Sequence, residues 1–174
     1  GMMAIATATK QVMYDGMDIV IGGGVESISM VQTPEMRVGS DKWLKDNKPD
    51  MYMTMLETAE NVATRFDISR ESQDAYAAQS QQRTHAAQQA GKLDDEVVAM
   101  STTMMIQNKE TKEITSHDVT IEKDEGNRPE TSAESLAGLK PVFKDGLNLQ
   151  TGEFITAGNA SQLSDGASAS IVME

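Results

Sequence analysis

The run Asp18-Ile19-Val20-Ile21, ending in Gly22-Gly23-Gly24, constrains the fold of this chain more than any other segment. A short continuous apolar run of this kind fits a buried strand of parallel type whose carboxyl end opens into a glycine loop. Before it, Met2, Ile5, Ala6, Thr9, Val12 and Met13 recur at helical spacing, and the pattern stops at Asp15-Gly16. A helix feeding a strand predicts an α/β layer. The helix is apolar over much of its surface, so its burial is expected, either here or against material outside these 174 residues. The three glycines could cradle a phosphate, but no GxGxxG or P-loop spacing follows, and close backbone packing is the simpler use.

Further along, 29–50 lacks a clean period and carries Pro34, Gly39 and Pro49, so it reads as an extended excursion holding the single Trp43. Glu57 to Phe66 predicts a helix with Ala59, Val62, Ala63 and Phe66 on one side. Ser69 is placed to cap a longer helix reaching about Ala90, with Glu71 in its first turn and Gly91 as its stop. Its facing stripe is expected to be Tyr76, Ala77, Ser80, Thr84 and Ala87. Glu96 to Met100 and Thr102 to Ile106 read as strands, the charged run 108–113 as a solvated hairpin turn, and Val119 and Ile121 as part of another strand. Thr131 and Glu134 have capping-box spacing for a short helix that Pro141 limits.

Composition excludes several classes of function. A net charge of −12 argues against a nucleic-acid or anionic-membrane surface. An anionic ligand would then need a local basic patch, for which Arg128, Lys140 and Lys144 are the densest cations near the end of the chain. With no cysteine there is no disulfide, no thiolate metal site and no cysteine nucleophile among these residues. No apolar run approaches the ~18 residues of a membrane span and no signal-peptide pattern stands at the start, so a soluble, cytoplasmic protein is expected. Thirteen Met against three Phe, three Tyr and one Trp predict a flexible, aliphatic core.

Acid–base chemistry finds little to build on. His85 falls in the Gln-rich helix and His117 in a charged strand or turn, and two histidines without matching carboxylate spacing predict no metal site. Asp94-Asp95 and Asp124-Glu125 read as solvated faces.

The end of the chain is a different matter. Thr156-Ala157-Gly158-Asn159-Ala160-Ser161 is a small-residue stretch that lets a ligand or a second backbone approach closely, with one hydroxyl at Ser161. Together with Asp165-Gly166-Ala167, the Gly22-to-Ser29 segment, Thr58-Ala59-Glu60-Asn61, and the helix holding Ser69-Arg70 and Gln73-Asp74, it resembles the thiolases: acetyl-CoA acetyltransferases and 3-ketoacyl-CoA thiolases. The order and spacing of the pieces agree over nearly the whole chain.

The resemblance implies an α-β-α layered thiolase-like domain, represented by 1–28 and 151–174, with an inserted α+β loop domain over 29–150 that holds coenzyme A. It implies acyl transfer between coenzyme A thioesters in fatty acid metabolism, by thiolysis of a 3-ketoacyl-CoA or by the reverse condensation, with no prosthetic group and coenzyme A or acyl-CoA as substrate. Such chemistry needs an activated thiol, a base and an oxyanion site. The family's nucleophilic cysteine is expected just before Gly1, ahead of the first helix. Its Gly-His-Pro histidine, second cysteine and Asn-Glu-Ala-Phe motif belong to a carboxyl-terminal half. Neither His85 nor His117 precedes a proline, so neither inherits that role.

A fragment inactive by itself is therefore expected, the alternative being a non-catalytic coenzyme A-binding or oligomer-assembly module. By the resemblance, Ser161 bonds the pantetheine arm and Ala157 lines it. Arg128 lies near the nucleotide phosphates, Ser135 near the adenine end, and Met55 beside the acyl tunnel. Thr54 and Leu56 stand where family members carry histidine and glycine, which alters that tunnel. Uncovered strand edges predict self-association as a homo-oligomer.

Overall fold

A computed structural model describes residues 1–36 and 39–174. Two compact units form, one from residues 1–46 with 162–174, the other from 47–161. Both junctions lie further along the chain than the division expected from the resemblance.

In the first unit, helix α1 (Met2–Asp15) ends where Gly16 adopts φ 74°, a left-handed conformation that favours glycine, as its spacing predicts. Strand β1 (Ile19–Glu26) carries its glycines inside the strand rather than in a loop after it. Its partner is β4 (Gly166–Met173), antiparallel, in a register running from Ile19 opposite Met173 to Glu26 opposite Gly166. The expectation of a parallel strand is therefore corrected: β1 is joined to its partner by a two-stranded antiparallel ladder.

Alternation along that ladder separates two faces. Val20, Gly22 and Val172 lie toward α1, whose packed residues are Ala4, Ala8 and Val12. A Cβ at Gly22 would come within 3.2 Å of the Ala4 carbonyl and the Ile5 Cα, so a side chain there would require α1 to give by a few tenths of an ångström. Ile19, Ile21, Ile171 and Met173 occupy the other face and are all more than 60 % exposed. Met2, Met3, Met13 and Tyr14 of α1 are exposed as well, so the helix expected to be buried is covered on one side only.

The excursion over 29–50, of which 37 and 38 lie outside the described residues, contains α2 (Ile28–Val31), α3 (Lys42–Asn47) and 3-10 turns at Pro34–Met36 and Pro49–Tyr52. It is helical in short pieces rather than extended. Asp165, just before β4, accepts hydrogen bonds from the Ser29 N–H (3.0 Å) and from the Ser29 and Ser27 hydroxyls, which ties the two strands together at the Glu26–Gly166 end of the ladder. The hydroxyl and N–H of Ser29, followed by Ser27 and the Ile28 N–H, hold its carboxyl below the usual carboxylate range.

In the second unit, Thr54 caps α4 (Met55–Arg65) by accepting the Glu57 N–H, and Ser69 caps α5 (Arg70–Gln89) by accepting the Ser72 N–H. The Ser69 cap is the one its sequence predicts. The buried face of α5 differs from the expected one. Asp74 and Ala78 are buried, with Gln81, His85 and Gln88 half-buried behind them, while Tyr76 is 73 % exposed. Polar residues line this face because they bond to other segments, as described below.

A hairpin follows, β2 (Met100–Gln107) against β3 (Ile114–Ile121), antiparallel with Met100 opposite Ile121 and turning through 108–113. Glu96 to Val98 is a turn and coil rather than strand. The short helix α6 (Ala133–Ala137) is capped by Ser132, whose hydroxyl accepts the Ser135 N–H while the Ser135 hydroxyl accepts the Ser132 N–H. This pair displaces the expected Thr131 and Glu134. Ala63, Ala78, Leu136, Phe143 and Ile155 form the apolar core of the unit.

Candidate functional site

Four residues buried in the second unit are polar: Glu57, Glu60, Asp74 and Thr156, each 2 % exposed or less. Burying a carboxylate is costly unless donors satisfy it. Here backbone N–H groups of a single segment, 147–155, supply most of them.

Glu57 accepts the N–H groups of Leu147 (2.8 Å), Asn148 and Leu149 (3.0 Å). Burial pushes its pKa up, but the donors from Asn148, Leu147 and Leu149 outweigh burial and hold it below the usual glutamate value. One helical turn later, Glu60 accepts the N–H groups of Glu153 (2.9 Å), Phe154 (3.1 Å) and Ile155 (2.8 Å). Positions i and i+3 share a helix face, so α4 presents both carboxylates to the same stretch of chain. Isolated bridges pair Lys144 with Thr151 and Pro141 with Thr156, which closes the segment into a narrow, irregular ribbon.

The third carboxylate fixes the end of the segment. Asp74 accepts the Arg70 Nε–H on Oδ2 (2.8 Å) and the Asn159 Nδ2–H on Oδ1 (3.0 Å). Asn159 also donates to the Phe154 carbonyl (2.9 Å) and accepts the Thr156 N–H (2.8 Å). The Thr156 hydroxyl accepts the N–H groups of Gly158 and Asn159, which curls 156–159 into a tight turn. Arg70 in turn donates to the Leu136 and Leu139 carbonyls, at 2.7 and 3.1 Å, binding α6 into the same network.

The residues expected from sequence to be ligand contacts sit around this scaffold. Ala157 and Ser161 are exposed on the turn and just after it. Ser135 lies on α6 beside Leu136, and a side chain at Gly158 would meet Leu136 and Leu139, so α6 and the turn are packed together. The Ser135 hydroxyl donates to the Ser132 carbonyl (2.9 Å), which leaves it only acceptor capacity for a ligand. Arg128 is exposed, its N–H fixed by the Gln81 side chain (2.8 Å), which also receives the Asn127 amide. Met55 opens α4 and is 81 % exposed.

Sequence reasoning misses Arg70, Asp74, Thr156 and Asn159 as the groups that shape this turn, and Glu57 and Glu60 as the groups that hold the segment before it. Glu60, Arg70 and Asp74 stand inside recognised motifs without a role there. One signal is available: Glu57, Glu60 and Ala63 share a face of α4, and the segment they hold contains Gly146 and Gly152, where side chains would collide with those carboxylates.

The family model described as "Thiolase, N-terminal domain" matches residues 1–174. The chain belongs to the thiolase family. Among curated thiolases, it is 38 % identical over 175 residues to the 3-ketoacyl-CoA thiolase of Bacillus subtilis, covering 100 % of this chain and 43 % of that protein. It is 41 % identical over 170 residues to the peroxisomal 3-ketoacyl-CoA thiolase A of Rattus norvegicus, covering 97 % and 37 %.

Two solved thiolases share its fold. The dimeric peroxisomal thiolase of Saccharomyces cerevisiae matches with a TM-score of 0.74 and 31 % identity, over 99 % of this chain and 40 % of that one. Human mitochondrial 3-ketoacyl-CoA thiolase in complex with CoA matches with a TM-score of 0.68 and 34 % identity, over 99 % and 42 %. The chain thus spans about two fifths of the length of these thiolases. It is a thiolase N-terminal domain of the α/β class, homologous to 3-ketoacyl-CoA thiolases. Among the described residues no helix is long and apolar enough to cross a membrane.

Proposed function

We propose that this chain forms the coenzyme A-holding part of a thiolase, an enzyme that moves acyl groups between coenzyme A thioesters, with 29–150 as the inserted binding domain between the portions 1–28 and 151–174. Coenzyme A or its acyl ester is substrate, not prosthetic group. One observation carries the reading. The 156–161 turn is held rigidly from behind by Asp74 and Asn159 and leaves Ala157 and Ser161 open in front, in a chain similar over 99 % of its length to a thiolase whose structure contains CoA.

In this reading Ser161 bonds the pantetheine arm beside Ala157, Arg128 neutralises phosphate, Ser135 accepts from the adenine end, and Met55 flanks the acyl group. Thiolysis needs a thiolate, and none of these 174 residues is a cysteine. The residues by themselves bind without turning over. Names of relatives include peroxisomal and mitochondrial proteins, so the cytoplasmic location expected from sequence gains no support from them.

Calorimetry with coenzyme A tests the assignment. Arg128→Ala is expected to weaken binding about tenfold and Ser161→Ala about threefold, in keeping with one charged and one neutral hydrogen bond. Affinities unchanged in both variants would discard the residue roles, and acetoacetyl-CoA thiolysis by these residues alone would overturn the inactivity.

A second role, in assembly, is favoured by the exposed face of Ile19, Ile21, Ile171 and Met173. A contiguous apolar face of this kind suits contact with another copy or another part of a thiolase, and the yeast relative is described as dimeric.

A further inference from the structure

Asp74 carries a feature that packing alone does not demand. It is 2 % exposed, and its two oxygens face two different donors: the Arg70 guanidinium on the same helix and the Asn159 amide from the turn, 85 positions later. An asparagine in its place would have one acceptor oxygen, so one of the two donors would meet an N–H group. Asn159 is constrained as tightly. Its nitrogen donates to both Asp74 and Phe154, its oxygen accepts from Thr156, and reversal of the amide breaks all three bonds.

We infer that Asp74 and Asn159 are positioning residues that set the conformation of the 156–161 turn and, resting on the function proposed above, the affinity for coenzyme A. Neither is placed to touch the ligand. The carboxylate orients the amide, the amide orients Thr156, and the Thr156 hydroxyl then draws in the Gly158 and Asn159 N–H groups, leaving Ala157 and Ser161 facing outward.

The arrangement makes a specific demand on paired substitutions. Asn159→Asp places two carboxylates face to face. Asp74→Asn sets the introduced amide against either Arg70 or Asn159 with a donor opposed to a donor. Exchanging the two groups restores the bond to Arg70, the bond between the two exchanged side chains and the bond from Thr156, and sets a carboxylate oxygen against the Phe154 carbonyl in place of the former donation. The combination should therefore cost less than the sum of the single changes, whereas a general loss of core packing would add.

The test uses the 174-residue chain. Amide hydrogen exchange at Gly158 and Asn159 and calorimetry with coenzyme A are measured for the wild type, Asp74→Asn, Asn159→Asp and the exchanged pair. Each single variant is expected to lose about tenfold in protection at both amides and about tenfold in affinity, with the pair losing clearly less than the product of the two. Additive losses, or wild-type protection in the singles, overturn the proposal. Should Asp74→Asn fail to fold, Asn159→Ser removes the link while leaving Asp74 paired to Arg70, and the same loss of protection is required of it. A wild type that binds no coenzyme A overturns the proposed function, and exchange at Gly158 and Asn159 still decides the role of the pair.

Discussion

Glu57 accepts the Leu147 N–H at 2.8 Å although 90 positions separate the two residues, and Glu60 repeats the arrangement with Ile155. A helix with two carboxylates one turn apart serves here as the template for a segment with no regular structure of its own. Each anion replaces water for three consecutive N–H groups.

Acid should release this template. Because the folded Glu57 has a pKa below the ordinary 4.5, its contribution to stability is complete above that value and is lost as pH falls through the lower, folded one. Asp165 in the first unit acts in the same direction below its ordinary 3.8. Denaturant melts between about pH 6 and pH 3 are expected to be flat at first and then to fall. Glu57→Gln should be less stable at neutral pH and should flatten the acid limb; a steeper limb in that variant would contradict the role given to Glu57.

Glu60→Gln keeps the volume but leaves only one acceptor oxygen for the N–H groups of Glu153, Phe154 and Ile155. A loss of about 2 kcal/mol in urea unfolding is expected. Stability within about 0.5 kcal/mol of the wild type would mean that water serves these donors equally well.

Gly152→Ala tests the fit of the segment against α4. A Cβ there would stand 2.8 Å from Glu60 Cδ and 2.9 Å from Phe143 Cβ, both buried. The cost should be about 1–3 kcal/mol by urea titration, as for other overpacked sites.

Ser69→Ala removes the hydroxyl that accepts the Ser72 N–H and should cost about 1 kcal/mol in the same measurement. Because Arg70 and Asp74 occupy the first turns of that helix, fraying should also raise exchange at Gly158; an unaltered Gly158 would separate the cap from the turn.

The exposed ladder face should drive self-association. Sedimentation of the wild type is expected to depend on concentration, and Ile21→Lys with Ile171→Lys, which are directly paired, to abolish that dependence. A strictly monomeric wild type would leave this face without an assembly role.

What is legible in the sequence is what local chemistry writes. Gly16 and Ser69 mark helix ends because a left-handed residue and a capping hydroxyl act over a few positions. The parallel reading of β1 fails because Ile19-Val20-Ile21 is apolar on both faces and looks the same with either partner direction. The register with β4 lies more than a hundred positions away. The stripe of α5 is misplaced for a related reason: its buried face is held by Asp74 and Gln81 through polar bonds, while periodicity counts only apolar residues. Glu57 and Glu60 share a face of α4 with Ala63, but the backbone donors that meet these carboxylates come from about 90 positions away. The turn itself is recognisable through its resemblance to thiolases, and the reason for its shape lies in residues that carry no role there.

The same long separations govern how the second unit is made. During synthesis α4 and its two glutamates leave the ribosome well before residues 147–155 exist, and with no donors to meet them these side chains must stay hydrated. A nascent chain that stops short of Ile155 cannot bury Glu60, so the helix waits at the surface of an unfinished unit. Contacts this far apart fold slowly, and the interval in which α4 stays open is when a chaperone or a protease meets it.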